Sequence, residues 1–177
     1  GDLSAVRSVA SFFVSRVDTE VARRLEAIGT DEALALRGTA AVAQAQLAYG
    51  LFLETFTGPR WQALAERGAK VQRPLWASTS TKNPTYPDTL YVDALIGPDT
   101  VNTMPEGTLE AFEDHGTLAR TVDADLDAAA RTLDRIRAVG VDLDDVSRVL
   151  EDQGVAAFAK SFDELMASLS AKAEQLG

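Results

Sequence analysis

The sequence predicts an α/β fold, rich in helix, in which a parallel sheet is covered by helices. Two observations support this. Only three short runs are apolar or β-branched over the length of a strand, and longer segments with helical periodicity separate them. Strands that alternate with helices pair in parallel, because each helix returns the chain to the starting edge of the sheet.

Each element follows from its local pattern. The predicted strands are SVASFFV (8–14), PLWAS (74–78) and TVNTM (100–104). Apolar spacing, caps and terminal glycines or prolines predict the helices. These cover 18–29 with Asp18 as a cap, 31–56, 59–68, a segment starting at Pro105, 123–140 and 155–176. The connection 79–98 holds three of the six prolines, and connections of this length are commonly functional.

Composition narrows the possible functions. With 17 basic and 27 acidic residues the net charge is −10, which disfavours a nucleic-acid partner. The apolar runs are far shorter than a membrane span, and we expect neither a membrane partner nor a cleavable signal. Without cysteine and with His115 as the only histidine, we expect no thiol catalysis, no histidine metal site and a cytoplasmic location.

Polar residues gather where the predicted strands end. Period two along the first strand places Ser11 and Phe13 on one face, and Arg16 follows them. The second strand ends at Ser78, and Lys82 comes shortly after it. Ligands of parallel α/β proteins bind at the carboxyl ends of the strands. A guanidinium, an ammonium and a hydroxyl at this edge indicate a site for an anion such as phosphate.

Plainer interpretations remain open for each residue. Arg16 can pair with Asp18 or Glu20 on the surface, Lys82 can be a solvated loop lysine, and Ser11 can be a small filler in a strand. Spacing by itself leaves these alternatives and the anion site equally open.

Four segments, in order, resemble bacterial transaldolases of the actinobacterial type. They are VRSVASFFVSRVDTEV, RPLWASTSTKNPTYPDTLYV, TVNTMPEGTLEAFEDHG and VDLDDVSRVLEDQGVAAFAKSFDEL, and the similarity extends over essentially the whole chain. The resemblance implies the C-terminal part of a (β/α)₈ TIM barrel, with the three strands as strands six to eight, and residues 1–177 as a single partial-barrel domain.

The resemblance also implies a function. Transaldolases of the pentose phosphate pathway transfer a dihydroxyacetone unit between sugar phosphates through a lysine Schiff base, with no cofactor and no metal. Ser11, Phe13 and Arg16 match the serine, aromatic residue and phosphate-binding arginine of the sixth strand. Ser78 matches the serine of the seventh strand, and Lys82 stands where a second cationic phosphate ligand is expected.

The Schiff-base lysine belongs to a fourth strand that this chain does not contain, so the resemblance implies no catalytic residue here. Lys82 lies in a polar loop and is not expected to replace it. The expected substrates are sedoheptulose 7-phosphate, fructose 6-phosphate, glyceraldehyde 3-phosphate and erythrose 4-phosphate. The expected partner is the N-terminal half of the barrel or a self-associated copy. The alternatives are a non-catalytic sugar-phosphate-binding half-barrel and an inactive fragment.

Overall fold

The computed structural model describes residues 2–176, with the side chain of Leu176 outside the described part. The chain divides into two compact units, 2–141 and 142–176. The elements of the first unit are β1 (Ser8–Phe13), α1 (Val14–Ile28), α2 (Asp31–Ala35), α3 (Ala40–Thr55), α4 (Gly58–Ala65), β2 (Gln72–Ala77), α5 (Leu90–Ala94), β3 (Val101–Asn102), α6 (Glu106–His115) and α7 (Leu126–Ala138). The second unit is formed by α8 (Leu143–Leu176). The single-domain prediction for 1–177 stays a prediction.

The sheet has the predicted parallel topology, in the order β1-β2-β3. The register pairs Phe13 with Ala77 and Trp76 with Asn102, so the carboxyl ends of the three strands lie along one edge. The predicted α/β class is therefore confirmed, and so is the parallel arrangement of its strands.

One face of the sheet carries the core. Trp76 is fully buried, its indole nitrogen donates to the Leu95 carbonyl at 3.1 Å, and the Phe12 ring lies 5.7 Å from it. α1 and α3 supply most of the remaining core: Val14, Ala41, Ala45, Tyr49 and Phe52. Because side chains alternate along a strand, Ser11 and Phe13 point to the opposite face and are exposed.

The predicted helix 31–56 is wrong as a continuous element, because α2 and α3 are separated by a turn at Gly38. Gly38 has φ +75°, which favours glycine, and a Cβ atom there would lie 2.9 Å from the Tyr86 ring. The turn therefore allows the connection after β2 to approach α3 closely.

Two helix starts also differ from the predictions. α1 begins at Val14, directly after β1, so Asp18 does not cap it. α8 begins at Leu143, twelve residues before the predicted start at Val155, and the Asp142 carboxylate accepts from the backbone amides of Asp144 and Asp145 at 3.0 Å. The predicted apolar stripe of this helix is exposed at Val155, Phe158, Phe162, Leu165 and Leu169. In the described part of the chain, no helix combines the length and apolar character that crossing a membrane requires.

Candidate anion site

The ends of β1 and β2 are joined directly at the carboxyl edge of the sheet. The Ser15 amide, in the first turn of α1, donates to the Ser78 carbonyl at 3.0 Å. The two hydroxyl oxygens, Ser15 Oγ and Ser78 Oγ, lie 2.7 Å apart. A helix leaves its first amides without partners inside the helix, and here the neighbouring strand end accepts from one of them. This contact explains why α1 begins without a loop.

Arg16 lies at the same edge, one residue beyond Ser15. Its guanidinium carbon is 4.9 Å from the centre of the Phe13 ring, so the aromatic face supports the cation. The side chain is exposed, and no carboxylate of the described residues is paired with it. The carboxylates that sequence alone offered as partners are engaged elsewhere: Asp18 with Ala41 and Tyr91, and Glu20 with Arg23 and Arg24.

The hydroxyl-rich stretch after β2 divides between its neighbours. Thr79 is fully buried, and its hydroxyl donates to Asn102 Oδ1 at 2.8 Å, which joins the ends of β2 and β3. Lys82 Nζ donates to Ser80 Oγ at 2.9 Å, and Asn83 Oδ1 accepts from the Thr85 amide in a local turn. Thr79, Ser80, Lys82 and Asn83 thus each have a distinct hydrogen-bond partner.

Lys82 lies apart from the other predicted site residues. Its side chain is exposed and lines a cavity of about 350 Å³ between α1 and the connection after β2, together with Asp18, Thr19 and Tyr86. Arg16 does not line this cavity. The structure thus places Phe13, Arg16 and Ser78 at the carboxyl edge and Ser11 two residues before the end of β1, whereas a shared ligand between Arg16 and Lys82 stays a prediction.

A buried carboxylate below this edge ties three elements together. Asp18 Oδ1 accepts from the Ala41 amide at 2.9 Å, in the first turn of α3, and Asp18 Oδ2 accepts from the Tyr91 hydroxyl at 2.8 Å. Burial raises the pKa of the Asp18 carboxyl, while the two hydrogen bonds act against that rise. Burial and the nearby Asp18 charge also raise the pKa of Tyr91. Asp18 of α1 therefore accepts from a first-turn amide of α3, as a capping residue does, and holds α5 against α1.

The sequence predicts Ser11, Phe13, Arg16, Ser78 and Lys82 as site residues, and this stays a prediction; it did not predict the supporting contacts of Ser15, Asp18, Thr79 and Tyr91. Local spacing carries little signal for them, because their partners lie 23 to 73 residues away. Among residues 2–176, no group of three or more acidic, histidine or cysteine side chains is placed to hold a metal ion.

Ser78 adopts a strained backbone conformation, with φ +57°. We expect Ser78→Gly to be more stable than Ser78→Ala by about 1 kcal/mol, because both lose the hydroxyl contact but only glycine accepts this φ without strain. Urea unfolding of the two variants measures the difference. The exposed Asp99, with φ +56°, is the matched control. The free energy of unfolding of Asp99→Gly should exceed that of Asp99→Ala by a similar amount. Equal stabilities of the two Ser78 variants would contradict the strain.

These features define a class of protein: a parallel α/β fold with hydroxyl groups and an unpaired arginine among the described residues at the carboxyl ends of its strands. The sequence profile of the family described as Transaldolase/Fructose-6-phosphate aldolase matches residues 3–169, and the chain belongs to this family.

Curated relatives are similar over nearly the whole chain. The chain is 58% identical to a transaldolase of Mycolicibacterium smegmatis over 166 residues, which are 93% of this chain and 45% of that protein. It is 57% identical to one of Thermobifida fusca, with the same coverage, and 55% identical to one of Frankia alni over 99% of this chain and 47% of that protein. The predicted family is confirmed, and the chain spans less than half the length of these relatives.

Proposed function

We propose that this chain supplies the phosphate-binding part of a cytoplasmic transaldolase of the pentose phosphate pathway. The observation that carries the proposal is the joined edge of β1 and β2, where Ser15 and Ser78 are in hydrogen-bond contact and Arg16 has no carboxylate partner among the described residues. A guanidinium without a carboxylate partner and a hydroxyl at the same edge of the sheet are the kinds of donor that a phosphate monoester needs.

Each site residue has a role in this proposal. Arg16 binds two oxygens of the sugar's terminal phosphate, and the Phe13 ring keeps its guanidinium in place. Ser78 donates its hydroxyl to the phosphate while its oxygen accepts from Ser15, an orientation that the 2.7 Å contact permits. Lys82 approaches as the second cation, and Ser11 on the exposed face of β1 hydrogen-bonds the sugar chain.

The Schiff base is formed elsewhere in this proposal, on a lysine of a strand that this chain lacks. The family's chemistry is transfer of a dihydroxyacetone unit, and the substrates are the four sugar phosphates named above. The role of this chain is to bind the phosphate, orient the carbonyl carbon toward that lysine and help exclude water through Phe13.

The remaining strands of the barrel, or a second copy of this chain, cover the open surfaces in this proposal. Phe13 of β1 is 41% exposed, although it belongs to a strand of a parallel sheet. In parallel sheets both faces are normally buried. Within residues 2–176, β1 and β3 each pair on one side only.

Amide NMR during titration with fructose 6-phosphate tests the phosphate site in this chain. We expect saturable shifts at the amides of residues 14–16 and 78–83, and no comparable response to fructose. Shifts spread over the surface, or equal responses to both sugars, would contradict the proposal. Borohydride reduction in the presence of the sugar phosphate separates the alternatives. Covalent labelling of this chain alone would place the imine lysine within it and overturn the assignment of the amine to another strand.

A further inference from the structure

A cationic cavity lies at the opposite edge of the sheet, where β1 and β2 begin. Its volume is about 700 Å³. Arg7 immediately precedes β1, Lys70 precedes β2, and Arg73 is the second residue of β2; all three line the cavity with Trp61. Asp99 is the one carboxylate among its lining residues.

The three cations of this cavity are not neutralised within the described part of the chain. None of them has a carboxylate within ion-pair distance there. The chain as a whole carries ten excess negative charges, so this concentration of positive charge runs against its average. Like charges gathered in one concave surface repel one another and create a potential that favours a multivalent anion.

Two lining residues of the cavity, Arg7 and Trp61, are held in place by local contacts. Arg7 Nη1 donates to the Ser4 and Val6 carbonyls, which directs its guanidinium. Gly68, with φ +89°, brings the turn after α4 against Ser4, where a Cβ atom would lie 3.1 Å from the serine side chain. The Trp61 ring meets Phe56 edge to face at 4.7 Å. A site with fixed walls loses less entropy when a ligand binds.

We propose that this cavity binds a small molecule that carries two phosphate groups. Two guanidinium groups and one ammonium suit paired phosphates, since each guanidinium offers two parallel donors to two oxygens. Each phosphate monoester carries about −1.5 to −2 charges near neutral pH, so a ligand with two of them is attracted by all three cations, whereas Asp99 opposes its binding. This site is independent of the proposed sugar-phosphate site, because its three cations lie at the amino ends of β1 and β2 and the two sites share no residue.

Trp61 supplies a local probe for the test. It lines the cavity, whereas the other tryptophan, Trp76, is fully buried in the core. Pyrophosphate is titrated at constant ionic strength into the 177-residue chain carrying Arg16→Ala. This substitution removes the guanidinium of the proposed sugar-phosphate site. We expect a saturable change in tryptophan fluorescence that is lost in Trp61→Phe. The absence of a saturable response at millimolar pyrophosphate would overturn the proposal.

Matched variants make the result specific. Lys70→Gln combined with Arg73→Gln should weaken binding about 10-fold or more, whereas the exposed Arg67→Gln, outside the cavity, should leave it within about twofold. Asp99→Asn should strengthen binding, a gain that misfolding cannot produce. Equal losses in the Arg67 and Lys70/Arg73 variants, or no gain with Asp99→Asn, would overturn the site.

The chemistry of the ligand is resolved by comparing ADP and fructose 1,6-bisphosphate with orthophosphate. Tighter binding of either two-phosphate compound supports the proposal and identifies its nucleoside or sugar source. If ADP and fructose 1,6-bisphosphate both bind no more tightly than orthophosphate, the proposed requirement for two phosphate groups is wrong.

Discussion

Replacing Arg16 with alanine is expected to weaken the binding of fructose 6-phosphate by about 100-fold. Hydrogen bonds to charged groups contribute roughly 1.5–3 kcal/mol each, and a bidentate guanidinium makes two of them. Because Arg16 is exposed to water, we expect the lower end of that range for each bond, which gives about 3 kcal/mol of binding free energy. Calorimetric titration of the 177-residue chain measures the change. The affinity for fructose itself should not respond, because the lost contacts are to the phosphate.

Two further variants separate geometry from charge. Arg16→Lys keeps the positive charge but loses the planar pair of donors, and we expect an intermediate loss of about 10-fold. Arg60→Ala, on the exposed surface of α4, is the matched control and should change the affinity little. If Arg16→Ala binds the sugar phosphate as well as the parent chain, Arg16 is not the phosphate ligand and the proposed site loses its main cation.

Replacing Asp18 with alanine is expected to lower the free energy of unfolding by about 2–4 kcal/mol. The substitution leaves the Ala41 amide and the Tyr91 hydroxyl without their acceptor, and a buried donor without a partner costs about 1–3 kcal/mol. Tyr91→Phe removes only one of these contacts and should cost about half as much. Asp134→Ala is the control: it removes the exposed ion pair between Asp134 and Arg137 on α7 and should lower the free energy of unfolding by less than about 1 kcal/mol.

The stabilisation that Asp18 provides depends on pH, and the raised pKa of its carboxyl sets the direction of that dependence. The folded state raises the pKa of Asp18 because burial disfavours the charged form. Its stabilising contribution is therefore fully present below the unfolded pKa, near 4, and is lost as the pH rises through the folded pKa. Asp18→Asn, which cannot ionise, should lose less stability than Asp18→Ala, and its deficit relative to the parent chain should shrink as the pH rises. A deficit that grows with pH would contradict the raised pKa.

Asp18 also links stability to the proposed site. Through Tyr91 it holds α5, which follows the hydroxyl-rich segment, and it lies two residues after Arg16. In Asp18→Ala we therefore expect faster amide exchange between residues 78 and 94 than in α7. Uniformly faster exchange over the whole chain would instead indicate global destabilisation alone.

Apart from α5, the break between α2 and α3 and the start of α8, the amino-acid sequence by itself determined the type and order of the elements, the parallel sheet, and the residue types at the carboxyl ends of β1 and β2. These follow from patterns that repeat within a few residues: alternation along strands such as 8–14, spacing along helices such as 123–140, and caps at their ends. The quoted segments also determined the family, which the comparisons confirmed.

Only the tertiary structure decided how these parts are held together. It placed Asp18 at the start of α3 instead of at the start of α1, brought Ser15 against Ser78, and divided the predicted helix at Gly38 beneath Tyr86. The physical reason is distance along the chain: the Ser15–Ser78 and Asp18–Tyr91 contacts span 63 and 73 residues. No local periodicity reports such contacts, because they form only when separate elements pack and buried polar groups must find partners.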